Sequence, residues 1–247
     1  MAITLLQATL ISINLFMSYV DMWGSSVIGW ANPLFPCFVT GVILGDPVKG
    51  LIFGGTFTLF YMGVMPIGPA ARLDKYMASV ISTALAIDIG YTASEALIIA
   101  LPFAILGQYY MIPERAVNTS LMHMADNAIE KYKFSRLPWI HLSGIFVWGL
   151  PPVLTTWGLL SFGTAAFLAL YNALPVSLWA ALGAAGQLMT SIGIATLVSM
   201  VYDVKYLPIL LLGFGISAYM GIGLLGAAVI GLGIVALIVA LQGGQES

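Results

Sequence analysis

Apolar residues run through this chain in long blocks, broken by charge at only a few places. Stretches with the length and hydropathy of membrane helices fall at 3–20, 25–44, 76–93, 95–112, 138–160, 162–182, 184–202 and 206–241, the last long enough for two. A bilayer crossing needs about 20 predominantly apolar residues. The first span ends at Asp21, and Pro151-Pro152 is expected to kink or break the span that begins near Trp139. Pro175 and Pro208 stand near expected boundaries. Segment 50–71 is uncharged and long enough to cross once, but its five glycines and two prolines predict a broken or re-entrant hairpin instead.

One segment has a different pattern. Between 113 and 136, Val117, Leu121, Met124 and Ile129 recur at roughly helical spacing among seven charges. This predicts an amphipathic helix outside the bilayer core. Four of the eight basic residues lie there, so the excess of Lys and Arg on the cytoplasmic side places it in the cytoplasm. It serves either as a solvated connection or as a docking surface for a cytosolic partner.

Composition supports a membrane protein. Of 247 residues, 60% are hydrophobic and 7% charged, against about 25% charged in soluble domains. Residues 137–202 and 206–245 carry no Asp, Glu, Lys or Arg. The predicted fold class is all-α: a polytopic integral membrane protein with broken or re-entrant helices and an amphipathic cytoplasmic segment, organised as one domain over 1–247. Ile3–Val20 reads as a retained membrane segment rather than a secretory signal, because no Lys or Arg precedes it. A net charge of −2 gives no electrostatic case for nucleic acid. The single cysteine, Cys37, excludes an intramolecular disulfide and a Cys-rich metal site. It reads as a small packing residue.

Catalytic patterns are missing. His123 and His141 lie eighteen apart and match no metal or nucleophile motif, and there is no P-loop, nucleophile elbow or His-Glu-x-x-His. No catalytic residue, cofactor or metal site is predicted. The glycines from Gly213 to Gly233 favour close helix packing.

Chemistry concentrates instead in residues 45–75. Gly45-Asp46-Pro47, Lys49-Gly50, Gly54-Gly55-Thr56, Thr58, Pro66-Ile67-Gly68-Pro69, Arg72, Asp74 and Lys75 crowd glycines, prolines, hydroxyls and charges into an oily chain. Irregular polar backbone at membrane depth survives where protein buries it or where it lines a cavity. Asp46 and Lys49 read as a charged turn at the membrane surface or as groups facing a ligand. Gly54-Gly55 leaves room for a close approach to the backbone. Thr56 and Thr58 either bond back to their own helix or offer hydroxyls to a ligand. Asp74 is the strongest single candidate, because a carboxylate accepts from two adjacent hydroxyls at once and an unsatisfied buried hydroxyl costs about 1–3 kcal/mol. Phe57, Phe60 and Tyr61 are close in sequence and would pack against a sugar's C–H face.

The order Leu44-Gly45-Asp46, Gly50, Gly54-Gly55-Thr56, Met62-Gly63, Ile67-Gly68-Pro69 and Asp74 resembles the membrane IIC subunit of the mannose–fructose–sorbose family of bacterial phosphotransferase systems. The resemblance continues through Gly107-Gln108, Asp126, Tyr206-Leu207-Pro208 and Leu212-Gly213-Phe214, and so covers nearly the whole chain. It implies a multi-pass protein of the bacterial inner membrane that binds a hexose or amino sugar and moves it across with a second membrane subunit, IID. The family's pairs assemble as a trimer of IIC–IID units. Cytosolic IIA and IIB relay phosphate from phosphoenolpyruvate, so the phosphoryl-transfer residues are expected on other chains and this chain is not itself an enzyme. The sequence departs from the family pattern at Thr58, where an acidic residue is common, at Pro66, where mannose-type members have Asn, and at Gly186-Gln187-Leu188-Met189. These departures leave the sugar open, with Gln187 able to supply a compensating amide. The expected substrate-binding set is Gly55, Thr56, Thr58, Gly68, Asp74 and Gln187. Two other readings stay open: an ion-coupled secondary transporter using Asp74, Asp88 and Glu95, and a non-transporting membrane scaffold or receptor. Asp88 and Glu95 flank Gly90-Tyr91 and read better as a turn between helices.

Overall fold

A computed structural model describes residues 3–25, 27–62, 73–163, 203–220 and 224–243, with isolated positions between 175 and 199. The described residues are helical, with no strand among them. We label the helices α1 (Leu5–Val20), α2 (Leu34–Leu44), α3 (Pro47–Tyr61), α4 (Lys75–Ile89), α5 (Ala93–Glu130), α6 (Leu137–Gly158), α7 (Leu207–Tyr219) and α8 (Leu224–Gly243). They fall into two compact units, 1–196 and 197–247. Among the described residues three stretches are long and apolar enough to cross a membrane: Leu5–Gly24, Ala93–Glu130 and Phe134–Gly163.

The first unit is built around α4. Every residue from Tyr76 to Ala86 is buried, so α4 is enclosed on all sides rather than on one face. It packs on α1, α2, α3, α5 and α6. α1 is started by a reciprocal cap between Thr4 and Gln7. It ends at Asp21, as its sequence predicts, in one wider π turn over Asp21–Ser25.

The expected span 25–44 is helical only from Leu34. Asp21 is the cause. Its buried carboxylate accepts the N–H groups of Val27 and Ile28 on Oδ1 (3.1 and 3.0 Å) and those of Gly29 and Ala31 on Oδ2 (3.0 and 2.9 Å). A side chain thus takes backbone donors that a helix would have used.

The break expected inside 50–71 is absent from its described part: α3 is continuous from Pro47 to Tyr61, and 63–72 lies outside the described residues. The hairpin that the structure does show is α2–α3, reversing at Gly45-Asp46, which the sequence did not predict. At about 1.5 Å per residue neither arm, of 11 and 15 residues, reaches across a bilayer. Gly45 closes α2 at φ +83°. Asp46 caps α3, accepting from the Lys49 N–H at 3.0 Å and pairing with its ammonium at 3.1 Å. Both side chains are well exposed, so the hairpin tip is a charged turn facing water. The arms cross at glycine. A Cβ on Gly50 would lie 2.7 Å from Cys37 O, one on Gly41 2.7 Å from Gly50 Cα, and one on Gly54 2.7 Å from Leu34 O.

The expected boundary at Pro113 is also absent. Helix α5 runs unbroken through Pro102 and Pro113 for 38 residues, so the segment 113–136 begins as a continuation of a membrane helix. An interior proline costs about 3 kcal/mol in an isolated helix. Here packing against α4 and α6 offsets it. Pro151-Pro152 likewise leaves α6 continuous, although the carbonyls of Val147 and Trp148 lose their i+4 donors. The Gly90 turn stands as its sequence predicts: Gly90 is left-handed at φ +86°, and Thr92 and Glu95 cap α5 reciprocally.

In the second unit, Pro208 sits in the first turn of α7, and α7 packs on α8. The stretch 206–241 is therefore two helices. The predicted spans 162–182 and 184–202 lie almost wholly outside the described residues.

Candidate functional site

Asp74 joins three helices through buried polar contacts. It is 3% exposed and caps α4. Oδ1 accepts the N–H groups of Tyr76 (2.9 Å) and Met77 (3.1 Å), and Oδ2 accepts the Tyr19 hydroxyl of α1. Its own N–H donates to Ala104 O on α5 at 3.1 Å. The carboxylate therefore ties together the start of α4, the end of α1 and the middle of α5. Gly107 makes this possible, since a Cβ there would lie 2.8 Å from Asp74 Oδ2.

Glu114 faces the same place. It lies one turn beyond Met111 on the inner face of α5, is 4% exposed, and has an Oε1 with no hydrogen-bond partner. The two carboxylates line one cleft with Tyr19, Lys75, Trp23 and Trp148. Trp23 and Trp148 stack at 4.5 Å between ring centroids, and the Lys75 ammonium sits 5.1 Å from the centre of the Tyr76 ring. The free volume is about 10 Å³, room for about one water. In this conformation the cleft is closed to anything larger.

Such a corner has one chemical demand. Two carboxylates in a low-dielectric site repel unless a donor or a proton comes between them. An acceptor facing two indole rings suits a small polyhydroxylated or amino-bearing ligand, whose donors meet the carboxylates and whose C–H face meets the aromatics.

The other predicted site residues lie on α3. The Thr56 hydroxyl bonds back to Ile52 O (2.9 Å). The Thr58 hydroxyl is in reach of Gly54 O (2.8 Å) and of Asn32 Oδ1 (2.7 Å), the latter across to the segment before α2. Gly55 faces open space, whereas Gly54 is the glycine that another backbone approaches. None of Gly55, Thr56 and Thr58 lines the Asp74 cleft. Tyr61, at the end of α3, is buried and does not line the cleft either. Gly68 and Gln187 lie outside the described residues, as does Arg72. His141 lines a separate groove between α5 and α6. No group of residues able to hold a metal occurs among the described residues.

Sequence reading missed Glu114, counting it among the solvated charges of 113–136. A signal was present. Ala100, Ala104, Gly107, Met111 and Glu114 recur at intervals of three and four, which is the buried stripe of α5. Tyr19, Trp23 and Trp148 carried no local signal.

Comparison with known proteins agrees with this architecture. Residues 5–238 match the family model described as the sorbose-specific IIC component of the PTS system. A PTS sorbose-specific EIIC component of Lacticaseibacillus casei is 34% identical over 243 residues, covering 94% of this chain and 84% of that protein. Two solved structures are similar. One, titled "Structure of membrane protein", has a TM-score of 0.80 at 27% identity and covers 95% of each chain. The other, the mannose transporter ManYZ in complex with microcin E492, has a TM-score of 0.62 at 29% identity and covers 97% of each chain.

Proposed function

The chain belongs to the sorbose-type IIC family of bacterial sugar phosphotransferase systems, and from that premise we propose that it binds a hexose or amino sugar at the Asp74–Glu114 corner and carries it across the inner membrane together with a IID subunit. As a IIC component it is an integral membrane sugar permease of the mannose/sorbose family. In the proposed scheme IIB phosphorylates the arriving sugar on the cytosolic side, with IIA upstream of it, and this chain contributes no phosphoryl-transfer residue. The relation to the ManYZ structure supports a membrane partner. In the proposed scheme these pairs assemble as a trimer, as the family resemblance implies.

One observation carries the reading: a buried carboxylate with an unpartnered oxygen faces a second buried carboxylate beside stacked tryptophans. Because that corner has room for about one water, sugar entry needs the cleft to open. Tyr19 and the start of α4 are the parts that must separate, since their contact closes it. Thr58, Gly55, Thr56, Gly68 and Gln187 are proposed to complete the sugar's contacts in the opened state.

The test is uptake of labelled hexoses and amino sugars in cells stripped of their own mannose-family membrane subunits. This chain is supplied with IID and IIB. Uptake should depend on all three proteins and on phosphoenolpyruvate. Accumulation by the purified chain alone in vesicles, driven by a sodium or proton gradient, would refute the scheme.

A further inference from the structure

The turn between α5 and α6 carries chemistry that sugar transport does not use. Lys131, Lys133 and Arg136 lie on one side of it and line a groove of about 440 Å³ with Asn127, Trp139 and Ser143. All three cations are exposed. None forms an ion pair, and the neighbouring acids Asp126 and Glu130 do not line the groove. Asn127 donates one amide N–H to His123 O (2.9 Å), and the Ser143 hydroxyl donates to Ile140 O (2.7 Å), so the full charges in the groove are all cationic.

The place of this groove in the membrane follows from α6. Trp139, Leu142, Phe146, Leu150 and Leu154 are exposed at intervals of three and four, forming one apolar stripe that starts immediately after the turn. That stripe has the apolar, exposed character of a face that meets acyl chains. Trp139 is 74% exposed, with Tyr132 and Phe134 also exposed on the turn. Aromatic residues beside Lys and Arg at the end of a lipid-facing stripe mark the level of the headgroups. Tyr132 is also the one described non-glycine residue at positive φ (54°), so the chain fixes this turn tightly enough to hold a left-handed tyrosine.

We propose that the α5–α6 groove binds the phosphate of an anionic phospholipid, with Lys131, Lys133 and Arg136 on the phosphate and Trp139 beside the glycerol and upper acyl chain. The occupant is a lipid rather than a soluble anion because the cations open onto the α6 stripe that acyl chains cover. A basic pocket at the cytoplasmic headgroup level has this affinity in general. The site is separate from the Asp74 cleft, shares no lining residue with it, and does not depend on the sugar reading.

The experiment uses the full chain, purified in mild detergent, stripped of lipid and titrated with phosphatidylglycerol. Phosphatidylcholine serves as the neutral control and inorganic phosphate as the free-anion control. Bound lipid is read by native mass spectrometry. The wild type should retain phosphatidylglycerol over phosphatidylcholine. The variant Lys131→Gln/Lys133→Gln/Arg136→Gln should retain about tenfold less or lower still, while Lys49→Gln retains as much as wild type. Raising salt from about 50 mM to about 500 mM should release the lipid from the wild type without any substitution. Equal retention by wild type and triple variant would overturn the proposal, as would equal binding of phosphatidylcholine. Displacement of the lipid by millimolar inorganic phosphate would make the groove a plain anion site. A triple variant that keeps its lipid but loses binding of purified IIB would assign the surface to a protein partner instead.

Discussion

The block 45–75 contributes to two regions that look alike in sequence and differ in physics. In the α2–α3 hairpin, small residues let one backbone touch another: at Gly41, Gly50 and Gly54 an added methyl would meet main-chain atoms under 3 Å away. Around Asp74, one glycine, Gly107, lets a helix receive a charged side chain instead. The hairpin spends its unusual residues on packing and on a wet tip. The Asp74 corner spends them on holding charge where water is scarce. Glycines and charges in an oily chain therefore mark close approach, and the structure decides whether backbone or carboxylate approaches.

The largest expected effect separates the two at once. Asp74→Ala leaves the Tyr19 hydroxyl and the Tyr76 and Met77 N–H groups without their acceptor. Each unsatisfied buried group costs about 1–3 kcal/mol, so the loss should be about 3 kcal/mol or more, and sugar binding should fall by roughly 100-fold or more. Binding by the IIC–IID pair and the unfolding midpoint in detergent measure the two parts. Unchanged sugar affinity in this variant removes Asp74 from the site. Gly50→Ala should act on stability alone. In an ordinary helix this change stabilises by about 0.5–1 kcal/mol. Here the methyl meets Cys37 O, so destabilisation of about 1–3 kcal/mol is expected. Gly55→Ala, facing open space, should stay within about 0.5 kcal/mol of wild type or stabilise slightly. If both glycine variants behave alike, close backbone approach at Gly50 is not what holds the hairpin together.

Glu114→Gln probes the corner more gently. The amide keeps size and hydrogen-bonding capacity but removes the second negative charge. The protein should fold at least as well, because one unpaired buried charge is gone. Sugar uptake should fall by about tenfold, the effect of losing about 1.4 kcal/mol from one charge-assisted hydrogen bond. A smaller asymmetry is expected between the threonines of α3. Thr58→Val loses the link to Asn32 Oδ1 and should cost about 1 kcal/mol, while Thr56→Val loses only a bond back to its own helix and should be close to neutral.

How much of this was legible beforehand depended on the range of the interaction. Short-range features read well: the α1 stop at Asp21, the Gly90 turn, and a boundary near Pro208 at the start of α7 each rest on two or three neighbouring residues. Failures came where distant packing overrode a local rule. Pro113 lies inside a continuous helix because α4 and α6 hold it, and residues 27–31 leave the helix because Asp21 takes their donors. Asp74 was found because a charge stands out in apolar surroundings. Glu114 was hidden because six other charges share its segment and only its helical phase with Gly107 and Met111 distinguishes it. The Trp23–Trp148 stack joins positions 125 residues apart in sequence, beyond the reach of any local pattern.

The smallest effect concerns the hairpin's wet tip and contrasts with Asp74 by its pH dependence. The Lys49 N–H, and then its ammonium, hold the Asp46 carboxyl below the usual carboxylate range. A group whose pKa is lower folded than unfolded adds stability that is fully present above the unfolded value of about 3.9 and is lost as pH falls through the folded value. The tip should therefore contribute the same at pH 7 as at pH 5 and weaken only below about pH 4. Asp46→Asn keeps a competent helix cap but cannot titrate. The difference in unfolding midpoint between wild type and Asp46→Asn should thus be small and constant at neutral pH, then shrink as the wild-type carboxyl protonates. Because the Asp46–Lys49 pair is open to solvent, salt should narrow the same difference. A gap that persists unchanged under acid and under salt would mean that Asp46 is sequestered as Asp74 is, and the hairpin tip would then belong with the corner rather than against it.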